Sequence, residues 1–138
     1  MKDKSIRIII AGSRTFDNYN YMKRKLSSYI GLLMKTYQNA EFEIISGGAK
    51  GADNLGEKYA KENKIKLTIM PADWEQYGKS AGFIRNKAVA AYAIKADKAY
   101  LIAFWNGNSK GTANMIIEAH RLNIATLIFN YKEDHVNE

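Results

Sequence analysis

Apolar residues along this chain follow two alternating rhythms. Short β-branched or mixed apolar runs at residues 5–11, 42–46, 65–70, 98–104 and 125–129 are nearly continuous, as in strands buried on both faces of a parallel sheet. Between them the spacing becomes helical. Over 19–37, Met22, Leu26, Tyr29, Ile30, Leu33, Met34 and Tyr37 share one broad face. Residues 52–63 place Leu55, Tyr59 and Ala60 inward, an alanine-rich helix covers about 81–94, and a further helix covers 111–122. Pro71 stops the third strand, and 72–82 read as a connecting loop long enough to have a task. Residues 131–138 read as a polar, loose tail.

Strands alternating with helices predict an α/β fold with helices on both faces of the sheet. The expectation is one Rossmann-like, three-layer domain over 1–138. Its mainly parallel five-stranded sheet would have the order 3-2-1-4-5. Right-handed crossovers then bring the loops after the strands to one edge, where the first and fourth strands meet at the switch point.

Composition narrows the classes. The 138 residues are 46% hydrophobic and 25% charged with a single proline, as in a globular chain. No apolar run reaches the ~18 residues of a membrane span. There is no cysteine, and the two histidines, His120 and His135, have no metal-binding spacing. A cytoplasmic protein with neither metal nor resident cofactor is therefore expected. The net charge of +7 suits nucleic acid or phosphorylated small molecules, but the lysines are spread out as on solvated helix faces.

Three glycine-bearing loops directly follow strands. Ser46-Gly47-Gly48-Ala49-Lys50-Gly51-Ala52-Asp53 places three glycines in five residues ahead of a helix. It is neither a Walker A motif nor Gly-x-Gly-x-x-Gly. Its amides and the helix dipole nevertheless suit a phosphate, with Lys50 supplying charge and Asp53 accepting from ribose hydroxyls. The plainer alternative is a tight strand-to-helix turn.

Gly12-Ser13-Arg14-Thr15-Phe16 offers close backbone approach and an arginine fork; Arg14 paired to a neighbouring acid is the alternative. Trp105-Asn106-Gly107-Asn108-Ser109-Lys110-Gly111-Thr112 is rich in turn residues, yet Ser109, Gly111 and Thr112 open a helix suited to phosphate. Trp105 either stacks on a base or plugs the core. The 72–82 segment adds Trp74 and Tyr77, and Arg85 and Asn86 follow in the next helix, where one of them can face a cleft. These aromatics either cover a base or pack on the domain.

At these residues the chain resembles the YspA-related branch of the SLOG superfamily. The motifs Gly-Ser-Arg-Thr-Phe, Ser-Gly-Gly-Ala-Lys-Gly-Ala-Asp, Pro-x-x-Trp-x-x-Tyr-Gly-x-x-Ala-Gly-x-x-Arg-Asn and Ile-Ala-Phe-Trp-x-Gly-x-Ser-x-Gly-Thr occur in order from about Ile6 to Ala119. The resemblance implies a Rossmann-like fold. Relatives include the Lonely-guy phosphoribohydrolases, the single-strand-binding protein DprA, and sensors of ADP-ribose-like signals. In the Lonely-guy enzymes a glutamate follows the late Gly-Thr; here Met115 takes that position, and Glu118, one turn later, is the substitute. Arg85 matches the arginine those enzymes use near the scissile bond.

The expected function is binding or sensing of a nucleotide-derived small molecule, either ADP-ribose-like or a nucleoside phosphate. Two alternatives stay open. One is phosphoribohydrolase activity with Arg85 and Glu118 as the catalytic pair. The other is single-stranded nucleic-acid binding. The wide apolar face of the first helix also admits a homodimer.

Overall fold

The computed structural model of the chain describes residues 4–132. Five strands and five α-helices alternate: β1 (Ser5–Gly12), α1 (Tyr19–Thr36), β2 (Glu41–Ser46), α2 (Ala52–Glu62), β3 (Lys66–Ile69), α3 (Trp74–Tyr77), α4 (Ala81–Ala93), β4 (Lys98–Trp105), α5 (Lys110–Arg121) and β5 (Ala125–Asn130). The sheet order is β3-β2-β1-β4-β5 and every pairing is parallel. This is the Rossmann-like order that the alternation predicts. β1 is central, with Ile9 opposite Ile45 of β2 and Leu101 of β4.

The period-two geometry of β1 divides the core. Ile6, Ile8 and Ile10 point to the face covered by α1 and α2, where they join Met22, Leu26, Ile30 and Tyr59. Ile9 points to the other face, among Val89 and Ala90 of α4 and Met115 and Ala119 of α5. Most of the broad face of α1 is thereby used within the chain. Met22, Leu26, Ile30 and Leu33 are buried and Tyr29 and Tyr37 pack against that cluster, while Met34 is 38% exposed.

Arg7 interrupts the apolar run of β1 and is compensated locally. Its Nε lies 3.1 Å from Glu43 Oε1 of β2, its Nη1 donates to the Tyr92 carbonyl at 2.6 Å, and its guanidinium stacks 3.8 Å over the Tyr92 ring. Thr68 and Tyr92 hydroxyls donate to Glu43 Oε2 at 2.5 and 2.6 Å. Burial pushes the Glu43 pKa upward, but the Thr68 and Tyr92 hydrogen bonds and the Lys66 and Arg7 charges outweigh it and hold the group below its ordinary value.

Two segments differ from the periodicity. The 72–82 stretch, expected as a loop, contains α3 and a 3-10 turn, Gly78–Ser80. The cause is a local cap: Asp73 Oδ1 accepts from the Gln76 amide at 3.1 Å. Tyr131, expected at the head of a loose tail, donates its amide to the Trp105 carbonyl at 3.0 Å and sets its ring edge-on to Phe16, with centroids 5.0 Å apart. The rest of that tail, 133–138, lies outside the described residues. No described helix is long and apolar enough to cross a membrane.

Candidate functional site

The carboxyl end of β1 opens into a cleft of about 250 Å³. Its floor comes from β1 and the loop that follows it, including Gly12. One wall is the start of α4 (Gly82, Phe83, Arg85, Asn86, Val89); the opposite wall is the start of α5 (Ser109, Lys110, Gly111, Thr112, Met115). Gly47 and Ala49 enter from the loop after β2 and Asp53 from the first turn of α2, and Trp74 and Lys79 stand at the mouth. Of the residues singled out in the sequence, the fold thus brings together Gly12, Arg14, Gly47, Asp53, Trp74, Arg85, Asn86, Ser109, Gly111 and Thr112.

Gly12 is required by packing. A Cβ there would meet the Phe104 carbonyl and lie 2.7 Å from Ala52 Cβ, so the bare backbone is what lets β1, β4 and α2 close on one another. Ser13 is 1% exposed and turned inward. Its Oγ accepts from the Asn106 amide at 3.1 Å, and its carbonyl accepts from the amides of Phe16 (3.1 Å) and Ala52 (3.2 Å). It fastens the three loops to each other and does not line the cleft.

The loop after β2 is organised differently from a phosphate cradle. The Ser46 hydroxyl donates to Glu57 Oε2 at 2.6 Å and accepts from the Gly48 amide at 3.0 Å. The Ala49 amide donates to Asp53 Oδ2 at 3.2 Å, and the Gly47 amide also bonds this carboxylate. Asp53, in the first turn of α2, therefore folds back onto the amides that the glycine spacing offers to an anion. Ser46 and Gly48 are occupied within the loop, Lys50 is exposed off the cleft, and Gly51 caps α2 against the Arg14 backbone. Gly47 is small for another reason. A Cβ at that position would meet the Arg85 guanidinium and lie 2.8 Å from Asp53 Oδ2.

Arg85 is held by two of its donors. Nε donates to Asn86 Oδ1 at 2.9 Å and Nη1 donates to the Gly47 carbonyl. Asn86, 4% exposed, extends the network across the cleft: its Nδ2 donates to the Gly111 carbonyl at 3.2 Å and to Asn114 Oδ1 at 2.8 Å. One side chain thus orients the arginine and ties the start of α4 to the start of α5. Burial lowers the Arg85 pKa; the Asp53 charge works the other way and the Arg14 charge adds to the lowering. Burial is also the main influence on Asp53, pushing its carboxyl up to about 6 against the Ala49 and Gly47 amides and the Arg85 charge, with Glu57 adding to the rise.

The α5 wall begins with Ser109 as cap, its Oγ 3.4 Å from the Thr112 amide and 3.2 Å from the Thr112 hydroxyl. Asn106 Oδ1 accepts from the Asn108 and Ser109 amides and shapes the turn before it. Trp105 does not line the cleft; its indole N–H donates to the Ser109 carbonyl at 3.0 Å and braces this turn. Trp74, 50% exposed, lies under the Arg14 guanidinium at 5.9 Å, whereas Tyr77 is exposed away from the cleft.

Glu118 requires a correction. It is buried and faces Arg121 at 4.0 Å, and Met115, not Glu118, lines the cleft. Three residues place it ~4.5 Å deeper along the helix axis, away from the mouth. Sharing a helix face does not mean sharing a depth. Lys79, Phe83 and Lys110 line the cleft without having been singled out individually. Their signal was proximity to the glycine turns and to Arg85.

Arg14, Lys79, Arg85 and Lys110 give the cleft four cationic side chains, and Asp53 is the lone carboxylate among the described residues lining it. Such a lining suits a ligand with several anionic oxygens and one flat apolar part.

Residues 6–77 match the family described as YspA, cpYpsA-related SLOG. The chain is also similar to the Gene 61 protein of Mycobacterium phage D29, 28% identical over 132 residues, covering 91% of this chain and 98% of that protein. A predicted subunit of tRNA methyltransferase from Methanocaldococcus jannaschii is 15% identical, with a TM-score of 0.35 over 91% of this chain and 67% of that one. At that score the likeness bears on neither mechanism nor ligand.

Proposed function

The chain belongs to the YspA, cpYpsA-related SLOG family, and from that premise we propose that it binds a nucleotide-derived ligand, ADP-ribose-like or a nucleoside phosphate, at the carboxyl edge of its sheet. The observation that carries the reading is the convergence of Arg14, Lys79, Arg85 and Lys110 on one cleft that also exposes Trp74 and Phe83. Lys110, Gly111 and Thr112 stand at the positive end of α5 and would take phosphate oxygens. Arg85, prearranged by Asn86 and Gly47, would neutralise them with its remaining donors. Trp74 and Phe83 would flank a base. At about 250 Å³ the cleft is smaller than the ~300–1,000 Å³ of most ligand pockets. A phosphoribosyl unit would fill it, with any second half of the ligand lying along the Trp74 side.

The hydrolytic alternative has less support, because its glutamate, Glu118, faces Arg121 and not the cleft. Single-strand binding also has less support, since the four cations of the site line one small cleft, which suits a small anion better than a polymer backbone. Calorimetry with ADP-ribose, NAD and nucleoside monophosphates tests the proposal. Saturable binding by at least one of them, weakened at least tenfold by Arg85→Ala, is expected. Absence of heat across the whole set overturns it.

A further inference from the structure

Asp53 is the anomaly of the cleft. It is an acid lining a cleft rich in cations, 5% exposed, and it has first claim on the amides of Gly47 and Ala49. An anion gripped by Arg85, with Arg14 beside it, would lie against this carboxyl, because the Arg85 guanidinium and Asp53 Oδ2 both close on the space at Gly47, where no side chain stands in between. Two negative groups at that separation repel in a buried site, and one of them then carries a proton. Resting on the ligand class proposed above, we infer that Asp53 meets the ligand as a neutral acid, donating a hydrogen bond to an anionic oxygen, so that binding takes up a proton.

The hydrogen bond on one carboxyl oxygen leaves the proton to the other. Oδ2 accepts from the Ala49 amide at 3.2 Å, as a carbonyl oxygen does. The proton sits on the other oxygen and is donated to the ligand. This role differs from the acceptor of ribose hydroxyls that an acidic residue after a glycine loop first suggests. The groups acting on the carboxyl are Arg85 from α4, Glu57 from α2 itself, and the Gly47 and Ala49 amides, while Arg14 from the loop after β1 acts on Arg85. Lys79 and Lys110 share the cleft. Even beside these cations, burial holds the free carboxyl at about 6, so an added anion need raise it only modestly to keep it protonated near neutrality.

The test is calorimetric titration of the full chain with ADP-ribose and, in parallel, adenosine monophosphate. Each is measured near pH 7 in two buffers of different ionisation enthalpy, which counts protons taken up. The bridged phosphates of ADP-ribose carry no proton that titrates near neutrality, so uptake with this probe comes from the protein. Expected is an uptake of more than half a proton by the wild type and much less by Asp53→Asn. The wild-type affinity should also fall relative to the variant as pH rises above about 6, approaching tenfold per pH unit. Because the buffer comparison works on the wild type alone, a poorly folded variant does not spoil it. Binding without proton uptake overturns the neutral-acid role and leaves the ligand class standing. Absence of binding by either probe overturns this inference, and the wider nucleotide panel then decides the ligand class separately.

Discussion

Replacing Asp53 by Asn should change how stability depends on pH before any ligand is considered. The folded carboxyl titrates at about 6 against an ordinary value of 3.8. Between those values the folded chain holds a proton that the unfolded chain releases, so the contribution of this group to stability falls as pH rises. It is fully favourable below about 4 and is lost through about 6. The rise from 3.8 to about 6 corresponds to about 3 kcal/mol of stability. Urea denaturation of wild type and variant at closely spaced pH values between about 4 and 7.5 measures it, since the difference cancels every other carboxylate. Relative to Asp53→Asn, the wild type should lose up to about 3 kcal/mol across that window. The Arg85 charge acts only on the ionised carboxyl, so its loss in the variant is already contained in the shifted value. A difference that stays level from pH 4 to 7 would falsify the reasoning.

Gly47→Ala should leave the fold largely intact, at a cost of about 1 kcal/mol, because the atoms its Cβ meets are flexible side-chain ends. Its ligand affinity should nevertheless fall at least tenfold through displacement of Arg85; a variant that binds like wild type contradicts the placement. Glu43→Ala strands Arg7, Thr68 and Tyr92 and should cost about 3 kcal/mol or more by denaturant titration. The lowered Glu43 pKa means that this stability is present above the ordinary carboxylate range and is shed as pH falls through the folded value. Ser13→Ala should lower stability by about 1–3 kcal/mol, because the Asn106 amide loses its acceptor; an unchanged midpoint speaks against the hydroxyl as the link between loops.

The sheet and its order were legible because each rule acts locally. Continuous runs such as Ile8–Ile9–Ile10 form buried strands, and the 3.6-residue spacing of Met22, Leu26, Ile30 and Leu33 forms a helix covering one face. Right-handed crossovers then left few arrangements. Many of the cleft residues were legible for the same reason, since strand-end loops gather on one edge. What stayed hidden depends on where side chains turn. Three glycines read as a cradle, and only the fold shows Asp53 returning one turn later to fill it. Glu118 shares a face with Met115 but not its depth. Asn86 gave no sign that it would join α4 to α5, because its partners lie 25 and 28 residues away.

The central claim, that the cationic cleft receives a phosphorylated nucleotide, is tested most directly by chemical-shift mapping. The isotopically labelled chain is titrated with adenosine monophosphate and ADP-ribose. The largest, saturating shifts should fall on the amides of Gly12, Gly111 and Thr112, the Arg85 Nε–H and the Trp74 indole, with the Trp105 indole moving less. Shifts centred on the opposite edge, around Arg7, Glu43 and Lys66, or none at all with either nucleotide, would contradict it.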